Sequence, residues 1–140
     1  MDRNGEISLV PAKVLLVDDE YSLVESLKDG LETWGYTVLT ALDGAAAVDV
    51  ARREIPQLIL LDLTLPKLDG YQVLKLLKAD AECRKIPVLV ITARSDAQGL
   101  VSTLDCGADS YYVKPLKFDT LLTLIQTLLV SKNRPRKPAA

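Results

Sequence analysis

Five short apolar runs, separated by longer stretches with an apolar residue at every third or fourth position, leave this chain few ways to fold. The runs are KVLLV (13–17), YTVLTA (36–41), QLILL (57–61), PVLVIT (87–92) and SYYV (110–113). Several are apolar at consecutive rather than alternate positions. Both faces of such strands must be covered, which is the condition of a parallel sheet between two helical layers. Strict strand–helix alternation with right-handed crossovers then predicts an α/β fold, five parallel strands and five helices. The 140 residues fit one domain with a sizeable core, and 49% hydrophobic with 26% charged residues is ordinary globular composition.

Helical spacing covers 20–34, 44–54, 70–80, 95–106 and 117–130. The first stretch puts Leu23, Leu27, Leu31 and Trp34 on one stripe and stops at Gly35. The second carries Val48 and Ala51, the third Val73, Leu74 and Leu77, and the last Leu121, Leu124, Ile125, Leu128 and Leu129. The stretch at 95–106 opens on Ser95, a natural N-cap, and is weakened by Gly99. Residues 1–11 read as a leader, 12–130 as the domain, and the basic, proline-containing 131–140 as a disordered tail or a truncated linker.

Composition removes several functions. The net charge of −2 offers no basic field for nucleic acid. No apolar run approaches the ~20 residues of a membrane span, and the first residues lack the apolar region of an export signal. Cys83 and Cys106 are far apart and outside any CxxC pattern, so both are read as buried reduced thiols. The chain has no histidine, which excludes imidazole acid–base catalysis and histidine-ligated zinc. No GxGxxG follows the first strand, so dinucleotide binding is not indicated.

In an open α/β sheet, sites gather at the carboxyl ends of the strands. There this sequence places Asp18 and Asp19, Asp62, Thr92 and Lys114, at the tips of the first, third, fourth and fifth runs. Singly, each has a plain reading: an aspartate as turn former or cap, a capping threonine, a solvated lysine. Jointly, if those strands are neighbours, three carboxylates, a hydroxyl and an ammonium converge. Clustered carboxylates raise each other's pKa unless a cation lies among them. Hard, oxygen-only ligands favour Mg²⁺.

At this point the sequence resembles the receiver domain of two-component response regulators. The matching stretches are VLLVDDE, LILLDLTLPKLDGYQVL, PVLVITAR and GADSYYVKPL, in that order, framing residues from about 12 to 131. The resemblance implies a flavodoxin-like doubly wound sheet of order 2-1-3-4-5. It implies that Asp62 accepts a phosphoryl group from a sensor histidine kinase or a histidine phosphotransfer protein. Asp19, Asp62 and the Thr64 carbonyl would bind Mg²⁺ directly, and Asp18 through water. Glu20 is read instead as a first-turn residue complementing the helix dipole. Lys114 and Thr92 would each contact a phosphoryl oxygen, because such transfer needs positioning and charge neutralisation most. The Lys114–Pro115 bond is expected to be cis. Pro66 and Gly70 read adequately as loop punctuation.

The same resemblance implies a signalling switch rather than an enzyme acting on outside substrates, its only chemistry being its own phosphorylation and dephosphorylation. On phosphorylation Thr92 would move and Tyr111 would turn inward; read without the family, Tyr111 is an ordinary half-buried strand residue. The output surface would span 95–130, where two activated chains could also pair. It would act on a downstream protein or on a C-terminal output domain beyond residue 131, in the cytoplasm. Thr64 and Arg94 occupy positions that set the phosphoryl lifetime, although Arg94 reads equally well as a solvated charge. Two alternatives stand beside this: a receiver-like interaction module that is never phosphorylated, and a haloacid-dehalogenase-type phosphatase. The latter needs a second aspartate where Thr64 stands.

Overall fold

The computed structural model of the chain describes residues 12–63, 65, 69–93 and 104–133. Strands β1 (Lys13–Val17), β2 (Thr37–Ala41), β3 (Leu58–Asp62), β4 (Val88–Thr92) and β5 (Ser110–Val113) form one sheet. Its order is β2-β1-β3-β4-β5 and every neighbouring pair is parallel. The expected doubly wound order is therefore found, with the direction of winding reversing between β1 and β3. The helices are α1 (Tyr21–Thr33), α2 (Gly44–Glu54), α3 (Gly70–Ala79) and α4 (Phe118–Asn133), with a 3-10 turn at Cys83–Lys85. Four α-helices are thus seen among the described residues where five were expected. The one predicted over 95–106 falls mostly outside them, including Ser95 and Gly99; Leu104 and Asp105 are helical.

Alternate strand residues feed two cores, as a period of two requires. Leu15, Val17, Ile59, Leu61, Val88 and Val90 pack with Ala47, Val48 and Ala51 of α2 and Val73, Leu74 and Leu77 of α3. Val14, Leu16, Leu58, Leu60, Leu89 and Ile91 face the other way, onto Val24, Leu27 and Leu31 of α1 and Leu121, Leu122, Ile125 and Leu129 of α4. Full burial of one such side chain stabilises by roughly 1.5–3 kcal/mol, so these two layers dominate the stability. No helix among the described residues is long and apolar enough to cross a membrane.

Some details depart from the periodicity. The buried stripe of α1 is Val24, Leu27 and Leu31, while Leu23 is half-buried and Trp34 is 60% exposed at the C-cap. The α1 face packed on the sheet and α4 therefore includes Val24 in place of Leu23, while Leu27 and Leu31 stay on it. In α4, Leu122 is buried whereas Leu124 and Leu128 are only partly covered. Cys83 is buried and Cys106 half-buried, both free; burial pushes the Cys83 thiol pKa up. Two helix starts are capped by side chains. Asp43 accepts from Ala46 N–H at 2.8 Å, and Asp69 and Gln72 form a reciprocal capping box at 3.0 and 3.1 Å.

Candidate functional site

Hydrogen bonds at the strand ends draw the tips together. Asp18 follows β1 directly; its N–H donates to the Ala41 carbonyl of β2 at 3.2 Å. One of its carboxylate oxygens accepts the Glu20 N–H at 2.9 Å, so the side chain is locked in a tight turn. Glu20 is the N-cap of α1, one residue before the expected first turn, and makes no side-chain cap bond. Asp62 is the last residue of β3, in register with Ile91, and so ends the third strand as expected. Ladder bonding continues past it, from Leu63 N–H to Ile91 carbonyl at 3.3 Å. Lys114 N–H donates to the Thr92 carbonyl at 2.7 Å, which ties the β4 and β5 tips. The Lys114–Pro115 peptide bond is cis.

These backbones bring three carboxylates and one ammonium together. Asp18, Asp19 and Asp62 each offer an oxygen within 4.8 Å of the others. Lys114 Nζ lies 3.5 Å from Asp18 Oδ2 and 3.7 Å from Asp62 Oδ2. Asp18 and Asp62 are only 8% and 5% exposed, so their charges are largely removed from water; Asp19 is exposed. A charge-assisted hydrogen bond is usually about 2.7–2.9 Å long, so the ammonium is shared between two acids and committed to neither. Among the described residues, one cation against three acids leaves the cluster net negative, at a burial where uncompensated charge is costly.

A divalent ion suits that deficit. Opposite ligands of octahedral magnesium are about 4.2 Å apart, so three carboxylate oxygens within 4.8 Å of one another are spaced to suit such an ion. The donors are all hard oxygens, which disfavours softer metals.

Thr92 is 1% exposed at the end of β4. Tyr111 is half-buried in β5 and packs against the α2–α3 side of the core. Thr64, Pro66 and Arg94 lie outside the described residues.

Two participants were not legible as such. A Cβ added at Gly70 would stand 2.4 Å from Leu63 Cα and 2.7 Å from the Asp62 carbonyl oxygen. Those are backbone atoms that cannot yield, so Gly70 is more than punctuation: it lets the start of α3 touch the strand end carrying Asp62. Its N–H also donates to the Leu63 carbonyl at 2.9 Å. The available signal was the glycine directly after a capping aspartate, at a helix position with no turn to make. The second is Tyr112, whose hydroxyl accepts the Lys117 N–H at 3.0 Å and braces the segment after Lys114.

Comparison with known proteins agrees with this geometry. The family profile described as "Response regulator receiver domain" matches residues 14–126. The chain is 39% identical over 117 residues to a probable transcriptional regulator, ycf27, of Porphyridium aerugineum, covering 84% of this chain and 48% of the relative. It thus spans about half the length of the curated relatives it matches. Among solved structures it is similar to the signal receiver domain of a histidine kinase from Syntrophus aciditrophicus. The TM-score is 0.81 and the identity 33%, with 92% of this chain and 98% of the other covered. The receiver domain of the sensor histidine kinase PA1611 from Pseudomonas aeruginosa PAO1, solved with a magnesium ion in its active-site cleft, gives 0.77 and 30%. There 86% of this chain and 99% of the other are covered.

Proposed function

The chain belongs to the response regulator receiver domain family, a family of two-component signalling switches and not a classical enzyme class, and from that membership we propose that Asp62 is its phosphoacceptor. A carboxylate oxygen of Asp62 attacks the phosphorus of a phosphohistidine carried by a sensor kinase or a phosphotransfer protein. An O–P bond forms and the P–N bond breaks. The electron pair stays on the imidazole nitrogen, which takes a proton from solvent. The only chemistry proposed for this chain is that transfer and its later reversal by water.

The observation that carries this reading is the Lys114 ammonium poised 3.7 Å from Asp62 and 3.5 Å from Asp18. An ammonium has three donors, and at these distances it is available to an arriving phosphoryl oxygen. The buried Thr92 hydroxyl would contact a second oxygen. Asp19 and Asp62 would hold Mg²⁺ directly, Asp18 through water, and the Thr64 carbonyl would complete the set. When bound, the ion supplies the positive charge that the acid cluster and the phosphoryl oxygens lack.

Phosphorylation adds about −1.5 to −2 charges and three acceptor oxygens beside Thr92. In this reading Thr92 shifts toward them, Tyr111 turns inward, and the surface over 95–130 changes by a population shift between two packings. A separate cytoplasmic protein, an output domain or a second activated copy reads that surface.

Intact mass after incubation with Mg²⁺ and a small acyl phosphate tests the proposal. One phosphoryl mass is gained, the gain needs the metal, and it disappears in Asp62→Asn. If the wild-type chain gains no mass under these conditions, the reading fails and a phosphorylation-independent interaction module takes its place.

A further inference from the structure

Glycine inside a helix costs about 1 kcal/mol relative to alanine. Gly30 stands inside α1, three residues before its end, where no turn requires it. The place of its missing Cβ is taken by an aromatic ring: that position lies 2.7 Å from Phe118 Cε1, 3.0 Å from Cζ and 3.4 Å from Cδ1. Any side chain at residue 30 would push the ring away. Phe118 is the chain's sole phenylalanine and the first residue of α4, four positions after Lys114.

That placement matters for the ammonium. The segment from Lys114 to Phe118 is pinned at its start by Lys114 N–H on the Thr92 carbonyl, 2.7 Å, and near its end by Lys117 N–H on the Tyr112 hydroxyl, 3.0 Å. Pro115 and Lys117 between these points are exposed. The Phe118 ring adds an anchor that reaches α1, and α1 begins directly after Asp18, Asp19 and Glu20. Asp18 and Asp19 therefore precede one of the two segments that this contact joins, and the ammonium is carried by the other.

We infer that the Phe118 ring seated on Gly30 braces α1 against the Lys114 segment, which makes Phe118 a positioning residue for the lysine ammonium. The inference rests on the proposed role of Lys114 at a phosphorylated Asp62. Asp18 and Asp19 follow β1 and Asp62 ends β3, paired strands held in the sheet independently of this contact, so loosening the brace displaces the ammonium and leaves the carboxylates in place.

The test uses the full chain, an acyl phosphate at saturating Mg²⁺, intact mass for the rate of phosphoryl gain, and calorimetry for Mg²⁺ affinity. Phe118→Ala slows phosphorylation about tenfold, as a misplacement of reacting groups by a fraction of an ångström would, with the Mg²⁺ Kd within about twofold of wild type. Gly30→Ala does the same by expelling the ring, and Gly30→Ala with Phe118→Leu recovers most of the rate because the smaller side chain makes room for the methyl group. If Phe118→Ala does not fold, Phe118→Leu alone keeps enough bulk and gives an intermediate rate. Wild-type rates in both single variants, or a rate and Mg²⁺ affinity that fall together without recovery in the double variant, overturn the brace while leaving phosphorylation of Asp62 standing. A wild-type chain that gains no phosphoryl mass sinks both.

Discussion

Two clusters of acids and lysine occupy opposite ends of one sheet, and they are built to opposite rules. At the amino end, Lys78 Nζ donates to the carbonyls of Arg84 and Ile86 at 3.2 and 3.1 Å and lies 3.7 Å from Asp109. Asp109 in turn accepts the Val88 N–H at 2.9 Å. Here an acid meets a cation, and both also bond to backbone. At the carboxyl end, Asp18 and Asp62 share the Lys114 ammonium at distances too long for good hydrogen bonds, with Asp19 beside them. The first cluster joins α3 to the starts of β4 and β5. Among the described residues, the second is left short of positive charge. Buried polar groups fully satisfied within the chain stabilise the fold, whereas a convergent set with a charge deficit is held for something that arrives from outside.

The contrast breaks most decisively at Asp62. Neutralising it relieves repulsion with Asp18 and Asp19, so Asp62→Asn, while losing all phosphoryl acceptance, should raise metal-free stability by about 1 kcal/mol in urea unfolding. A drop in stability there would mean the crevice is a structural ion pair like the one at the far end. Lys78→Met should have the reverse profile. It removes the ammonium from the Arg84 and Ile86 carbonyls and from Asp109, costing about 2 kcal/mol, and leaves the phosphorylation rate as in wild type.

Gly70→Ala tests whether the α3 contact serves the acids specifically. A methyl group against unyielding backbone costs about 1–3 kcal/mol, and because that backbone carries Asp62, the Mg²⁺ affinity measured by calorimetry should fall as well. A loss of stability with unchanged Mg²⁺ affinity would reduce Gly70 to a packing residue.

The smallest expected effect separates a satisfied carboxylate from the crevice by pH. Asp80 is held below the ordinary carboxylate range by the backbone N–H of Cys83 first and that of Glu82 second, with Arg52 nearby at 3.3 Å. A depressed folded-state pKa contributes stability above the unfolded value and loses it as pH falls through the folded one. Asp80→Asn should therefore flatten the acid limb of the Tm–pH curve and leave its neutral region less stable. An unchanged acid limb would show that this cap does not govern acid sensitivity.

Much of the architecture was legible because burial writes itself into periodicity. Consecutive apolar residues in LILL and VLVI require cover on both faces, and Val73, Leu74 and Leu77 mark the inner side of α3; all are buried. The candidate residues were legible as positions at strand tips, since the carboxyl edge of such a sheet is where loops converge. Trp34 misled because helical spacing says which residues share a stripe, not how the helix is rotated against its neighbours. Gly70 and Gly30 went unread because what they make room for, Asp62 and Phe118, is distant in sequence or hidden in a turn.

The sequence by itself determined the alternation of elements, the two apolar layers and the placing of acids, hydroxyl and lysine at strand ends, because each follows from local spacing along the chain. Tertiary structure alone decided the sharing of Lys114 between Asp18 and Asp62, the closeness of α3 to the β3 tip and the seat of Phe118 on α1. Those are distances between segments joined by long crossovers, and they are fixed only when both faces of the sheet are packed at once.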